Sequence, residues 1–252
     1  MTSQLDTEQY LARIGFDYDQ VALDLATLEA LQRSHLSTVP FENLDVYRGQ
    51  PVRCDLAHSV PKVVERRRGG WCFELNGAFS ALLTELGFEV RLLGAAVLLG
   101  GPNAVIDHLT LEVQLDEPYL VDVGFGDSFI SPLRLNFAGE QDGGSGTFQL
   151  IASSQGTTLA RIAAGVPEAQ YRFKRVDRKL TDFIAASDEL QANRELHWSQ
   201  KPFATRLIDG GPDRVTLLKD RLKICRDGVE STKDIEPKDW DRTLSDWFKI
   251  SL

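Results

Sequence analysis

The sequence predicts an α+β chain in which a helical segment is followed by an antiparallel sheet and then by a mixed α/β end. Three observations carry this. Apolar residues recur at helical spacing up to about residue 88, the period then falls toward two, and the segment after residue 180 alternates between both patterns. Thr7 precedes Tyr10, Leu11 and Ile14 at helical spacing, and Gly15 supplies a stop. Leu28, Leu31 and His35 repeat the pattern. Ser59 is placed to cap a helix carrying Val60, Val63 and Val64, which the Gly69-Gly70 pair ends. The segment from Cys72 to Leu86 is the best amphipathic helix, with Leu75, Phe79, Leu82 and Leu86 on one face and Gly87 just beyond its end.

Strands follow. Leu109, Leu111, Val113 and Leu115 alternate with His108, Thr110, Glu112 and Gln114, the pattern of a half-buried strand. Asp116-Glu117-Pro118 supplies a turn, and Tyr119 to Val123 reads as the returning strand. Phe148 to Ala152, Thr158 to Ile162 and Tyr171 to Val176 are further strands. The stretch Gly139 to Gly146, GEQDGGSG, has no apolar anchor and reads as a mobile loop. Near the end, Asp182 to Leu190 predicts a helix, Val215 to Ile224 a strand or hairpin, and Pro237 to Phe248 a Trp-bearing helix.

Composition bounds the function. The 252 residues hold 42% hydrophobic and 26% charged side chains, the balance of an ordinary globular protein. Lys and Arg total 28 against 37 Asp and Glu, so the net charge of −9 repels nucleic acid and acidic membrane leaflets. The first residues lack the basic and apolar regions of a signal peptide, and the most apolar window, Val90 to Leu99, is too short to span a bilayer. A cytoplasmic location is expected. Three cysteines, Cys54, Cys72 and Cys225, make no disulfide framework, and Cys54 with His58 has no second pair at ligand spacing, so no metal site is expected.

The chemistry concentrates in two stretches. In Arg68-Gly69-Gly70-Trp71-Cys72-Phe73-Glu74 a thiol falls in the first turn of a helix, where unpaired N–H groups and the helix dipole favour a thiolate and an oxyanion. A buried, inert cysteine beside Trp71 and Phe73 is the competing reading. His108 and Asp122 are both even-numbered, so a hairpin with an odd-length loop puts them on one face. A loop centred on Leu115 sets them opposite, and one shifted toward Pro118 offsets them. The pair reads either as a base with its orienting acid or as two locally satisfied polar groups. An acid inside Leu120-Val121-Asp122-Val123 demands a donor or a cation, since an unpaired buried charge is costly.

With Val39-Pro40-Phe41-Glu42-Asn43-Leu44, RGGWCFELN from Arg68 to Asn76, His108 and DVGFG from Asp122 to Gly126 in that order, the chain resembles the arylamine N-acetyltransferases. Looser matches are Leu180-Thr181-Asp182-Phe183 and the terminal Trp247 to Leu252. The resemblance implies a helical bundle in residues 1–88, a β-barrel in 89–180 and an α/β lid in 181–252, around a cysteine-protease-like Cys-His-Asp core. It implies Cys72 as nucleophile, His108 as base and Asp122 as orienting acid. Phe125, Gly126 and Phe41 would contact the acceptor, and Gly101 and Asn103 would lie by the coenzyme A route, with Glu42 and Arg68 as structural support. It implies acetyl-CoA as a co-substrate, no permanently bound cofactor, a small aromatic amine or hydrazine as acceptor, and a place in xenobiotic metabolism. Lys249 stands where the family often has Gly, and Trp198 to Asp209 matches only in part. Rival readings are an amide synthase of the same fold that closes a polyketide macrolactam, a Cys-His-Asp amide hydrolase, and a binding module with an inert cysteine. The basic runs Glu65 to Arg68 and Lys174 to Lys179 are either phosphate contacts or solvated faces, and the four Trp residues read as packing anchors. The oligomeric state is not written in the sequence.

Overall fold

The computed structural model describes residues 5–252. Its first part holds the helices α1 (Thr7–Ile14), α2 (Leu25–Thr38), α3 (Leu44–Tyr47), α4 (Leu56–Val63) and α5 (Cys72–Glu85), with the short strand β1 (Phe41–Glu42) between α2 and α3. The middle holds β2 (Glu89–Val97), β3 (His108–Gln114), β4 (Pro118–Val121), β5 (Leu133–Arg134), β6 (Glu140–Asp142), β7 (Thr147–Ser153), β8 (Gly156–Ala163) and β9 (Val166–Arg178). The end holds α6 (Ile184–Ala192), α7 (His197–Gln200), β10 (Ala204–Leu207), β11 (Arg214–Leu217), β12 (Arg221–Arg226), β13 (Val229–Asp234) and α8 (Trp240–Phe248).

Helix boundaries follow local chemistry, with two changes from the sequence reading. Asp6, not Thr7, caps α1 by accepting from Gln9 N–H, and Gly15 ends it at φ +72°. Asp55, not Ser59, caps α4 through His58 N–H, while the Ser59 hydroxyl donates back to Asp55 C=O inside the helix. The carboxylate is the stronger acceptor for a first-turn N–H. Helix α5 starts at Cys72 and closes ahead of Gly87 at φ +98°. Helix α8 ends at Lys249, which adopts φ +57°, the left-handed conformation that a Gly at that position would take without strain.

Strands β2 to β9 form one antiparallel sheet in the order β5-β4-β3-β2-β9-β8-β7-β6. It curls into a nearly closed barrel. Gln141 on one edge accepts from Arg134 N–H and donates to Arg134 C=O on the other, so a side chain spans the seam. The GEQDGGSG stretch is therefore not a free loop. Glu140–Asp142 is an edge strand paired to β7, and Gly143 C=O accepts from both Ile130 and Ser131 N–H. Backbone pairing, not an apolar anchor, holds it.

Strand β3 departs from the half-buried pattern: His108, Thr110 and Glu112 are as buried as Leu109, Leu111 and Val113. The leucine face packs on the helical part and the other face is covered within the sheet. Glu112 is accommodated because Arg175 of β9 grips it with two bonds of 2.7 and 2.8 Å. That bond also accounts for one member of the basic run at Lys174 to Lys179.

The remaining strands make a second antiparallel sheet, β1-β10-β11-β12-β13, against which α8 packs. Its edge is β1, from the N-terminal part, so the first and last parts of the chain share hydrogen bonds through Phe41↔Thr205 and Glu42↔Ala204. Among the described residues no helix is long and apolar enough to cross a membrane.

Candidate active site

The two glycines before Cys72 exist because two sequence stretches meet there. Phe41 and Gly70 form a parallel bridge, and Glu42 N–H donates to Gly70 C=O at 2.9 Å. A side chain at Gly69 would collide with Pro40 C=O, and one at Gly70 would come within 2.6 Å of the Glu74 carboxylate. That carboxylate folds back to accept from Trp71 N–H at 3.2 Å, which fixes the start of α5.

Under this start lies a buried charge network. Lys62 donates to Glu74 at 2.8 and 3.0 Å and meets Asp45 at 2.7 Å. Arg68 meets Glu42 at 2.7 Å and Asp45 at 2.9 Å. Arg68 is thus an ion-pair partner inside the fold rather than part of a solvated basic end. Burial raises the Glu74 carboxyl pKa despite the attraction of Lys62. For Lys62, burial works against the charge, but Glu74, Glu42 and Asp45 outweigh it and the ammonium is held more firmly than usual.

Cys72 occupies the first position of α5 and is 7% exposed. The N–H groups of Cys72 and Phe73 fall in the first turn, where no helical carbonyl can receive them. His108 opens β3, and its Nε2 lies 2.7 Å from Asp122 Oδ2. The hairpin pairs Leu111 with Val121, which extrapolates to Thr110 opposite Asp122, so the His–Asp contact is a diagonal across two residues. The shared parity is as read from the sequence, and the register is the offset one.

Burial disfavours a charged imidazole, yet the Asp122 carboxylate and then the Cys72 thiol reverse this and raise His108 to about 10. Because Nε2 is committed to Asp122, Nδ1 is the nitrogen left for the thiol. Burial pushes the Asp122 carboxyl up, but His108, Asn76 and the Gly124 N–H together bring it below its usual value. The ring of His108 is walled by Phe125 and Tyr171, whose centroids lie 5.1 and 5.0 Å away.

Asn76 is the residue that sequence reasoning missed. It is fully buried one turn after Cys72. Its amide donates to Asp122 Oδ1 at 2.9 Å and to Leu109 C=O at 2.6 Å, while its oxygen accepts from Val123 N–H at 2.9 Å. One side chain thus ties the helix that begins at Cys72 to β3, which begins at His108, and to the segment just after β4 that holds Asp122. Its signal was a polar residue at i+4 from Cys72 between Leu75, Ala78 and Phe79. Gly124 has a related part, since a Cβ there would stand 2.7 Å from Cys72 Cα.

Cys72 and His108 face a cavity of about 600 Å³, lined also by Phe41, Phe125, Gly101 and Asn103. Asn103 lines it with its amide already used, donating to Asp107 at 2.7 Å and accepting from Val105 N–H. Gly126, at φ +89°, does not line this cavity. It borders a second one of about 540 Å³, next to Phe41. Trp198 is a wall of both cavities and not only a packing anchor, whereas Trp240 and Trp247 pack in the core under the second sheet. Among the described residues no group of three or more His, Cys, Asp or Glu side chains is placed to hold a metal ion. The Cys54 thiol faces Phe183 C=O, its pKa raised to about 12 chiefly by burial.

A family model described as N-acetyltransferase matches residues 24–252. Human arylamine N-acetyltransferase 1 is 38% identical over 98% of this chain and 95% of its own length. Chicken arylamine N-acetyltransferase, pineal gland isozyme NAT-3, is 31% identical over the same shares. Among solved structures, the Mycobacterium marinum arylamine N-acetyltransferase in complex with CoA superposes with a TM-score of 0.89 at 30% identity, covering 97% of this chain and 93% of that one.

Proposed function

The chain belongs to the arylamine N-acetyltransferase family, and we propose that Cys72, His108 and Asp122 carry out its acyl transfer by a ping-pong route. The observation that supports this most is the 2.7 Å bond from the buried Asp122 to His108, with Cys72 beside the same ring at the base of a cavity. His108 Nδ1 takes the thiol proton, giving a thiolate–imidazolium pair that Asp122 steadies. The thiolate attacks the acetyl-CoA carbonyl, and first-turn N–H groups of α5 are available to the oxyanion. The thioester C–S bond breaks, coenzyme A leaves with the proton from His108, and Cys72 keeps the acetyl group.

The arylamine nitrogen then attacks the acetyl-cysteine. His108 accepts its proton and Cys72 is expelled as thiolate, which restores the resting pair. Aromatic amines are weakly basic, so they arrive neutral at pH 7, whereas alkylamines arrive protonated and cannot attack. Phe41 and Phe125 offer aromatic walls to such an acceptor, and the Gly101 backbone and Asn103 border the donor's path. In this reading residues 1–88 carry the nucleophile, 89–180 the base and acid, and 181–252 the cover of the pocket. Acetyl-CoA is a co-substrate, no cofactor stays bound, and the setting is cytoplasmic conversion of foreign arylamines.

The kinetic test is direct. Initial rates with acetyl-CoA and an arylhydrazine varied together are expected to give parallel double-reciprocal lines. Intersecting lines, or CoA release at the same rate without acceptor, would contradict the reading, the latter in favour of a hydrolase.

A further inference from the structure

The second cavity joins the first along Phe41, Phe125 and Trp198, which border both. Its far wall contains an unusual charge arrangement for a chain of net charge −9. Arg214 of β11 is buried, and its Nη1 donates to the Thr205 hydroxyl at 3.2 Å. Arg161 of β8 lies alongside, its guanidinium 5.2 Å from the Phe148 ring centroid and its Nε buried with no protein partner. The two guanidinium groups have a single carboxylate between them. Asp127 Oδ1 is 3.1 Å from Arg161 Nη2 and 3.6 Å from Arg214 Nε, so one oxygen serves both, and its side chain is 65% exposed.

The same wall also carries one ion pair and one further carboxylate. Lys223 pairs with Glu230 at 2.9 Å, and Asp213 accepts from Asp227 N–H. Around Asp127 itself, two guanidinium groups share one exposed carboxylate oxygen in a partly desolvated place, where an anion's hydrogen bonds are strongest. Burial disfavours the charge on Arg214, Asp127 offsets this only in part, and Arg161 adds repulsion, which a second anion would relieve.

We propose that Arg161 and Arg214 form an anion subsite in this second cavity, which takes a carboxylate or phosphate group of a ligand whose reactive end lies at Cys72. This rests on the acyl-transfer reading of the first cavity. The anion has two possible sources, the phosphates of the coenzyme A donor or an acidic substituent on the acceptor ring. Asp127 occupies the subsite in the absence of ligand and swings out when it is filled.

Binding by calorimetry tests this without requiring turnover, so it fails independently of the acyl-transfer reading. The probes are 4′-phosphopantetheine against pantetheine (the CoA pair), and 4-aminobenzoate against 4-methylaniline, each pair differing in the anionic group. In the pair that supplies the anion, the charged member is expected to bind at least about 10-fold tighter. Arg161→Gln should remove most of that preference and Asp127→Asn should increase it, two opposite shifts that general loss of folding cannot produce. Preference in the CoA pair identifies the donor phosphates, and preference in the other pair identifies an acidic acceptor. If neither pair shows a preference, or if both variants leave it within about two-fold, the subsite does not exist.

Discussion

Asp122→Asn is expected to reduce kcat/KM by roughly 10³–10⁴, with the fold retained. The amide keeps the shape and can still meet Asn76 and the Gly124 N–H, but it removes the charge that sets the state of His108. Burial alone disfavours the imidazolium, and Asp122 is the first of the groups that overcome it. Without the carboxylate the ring is neutral near pH 7 and the pair with Cys72 is lost. The pH dependence carries the same signature. In the native protein His108 is raised from 6.5 to about 10, so its contribution to stability is fully present below pH 6.5 and is lost as pH rises toward 10. Asp122 is lowered, so its contribution is lost as pH falls below the usual carboxylate range. Thermal unfolding of Asp122→Asn should lack both limbs. Near-native turnover in this variant would remove Asp122 from the catalytic group.

Lys62→Met should have the largest effect on stability, a loss of about 3–5 kcal/mol. Methionine fills much of the volume but leaves Glu74, fully buried, without its cation, and deprives Asp45 of one of two. For a chain of this size that corresponds to a fall in Tm of roughly 10 °C or more. Because burial already raises the Glu74 carboxyl, protonating it relieves the variant. The loss should therefore deepen as pH rises from 5 to 8. A change in Tm below about 2 °C at pH 8 would show that the network under α5 contributes nothing. Glu74 also fixes the α5 start through Trp71 N–H, so Cys72 should react less selectively in this variant.

How far the site was legible follows from where each partner lies in the chain. The start of α5, the thiol in its first turn and the shared parity of His108 and Asp122 are local properties, and they could be read directly. The two-residue offset was not readable, because the register depends on the turn at Asp116 and Glu117 and not on the strands themselves. The full burial of β3 was hidden for a different reason. Glu112 looks like a surface residue until Arg175, some sixty positions later, neutralises it. Asn76 stood inside a quoted motif, yet its three partners are Leu109, Asp122 and Val123, all more than thirty positions away in the chain. The edge strand at Glu140 was missed because pairing with β7, not its own side chains, makes it a strand.

The most direct test of the account is intact-protein mass spectrometry after incubation with acetyl-CoA alone, followed by peptide mapping. One acetyl group is expected on Cys72, discharged quickly by an aniline or arylhydrazine and slowly by water. The His108→Gln variant should not form it. A protein that turns over acetyl-CoA and arylamine yet never carries acetyl on Cys72 would contradict the ping-pong mechanism and the role given to this cysteine.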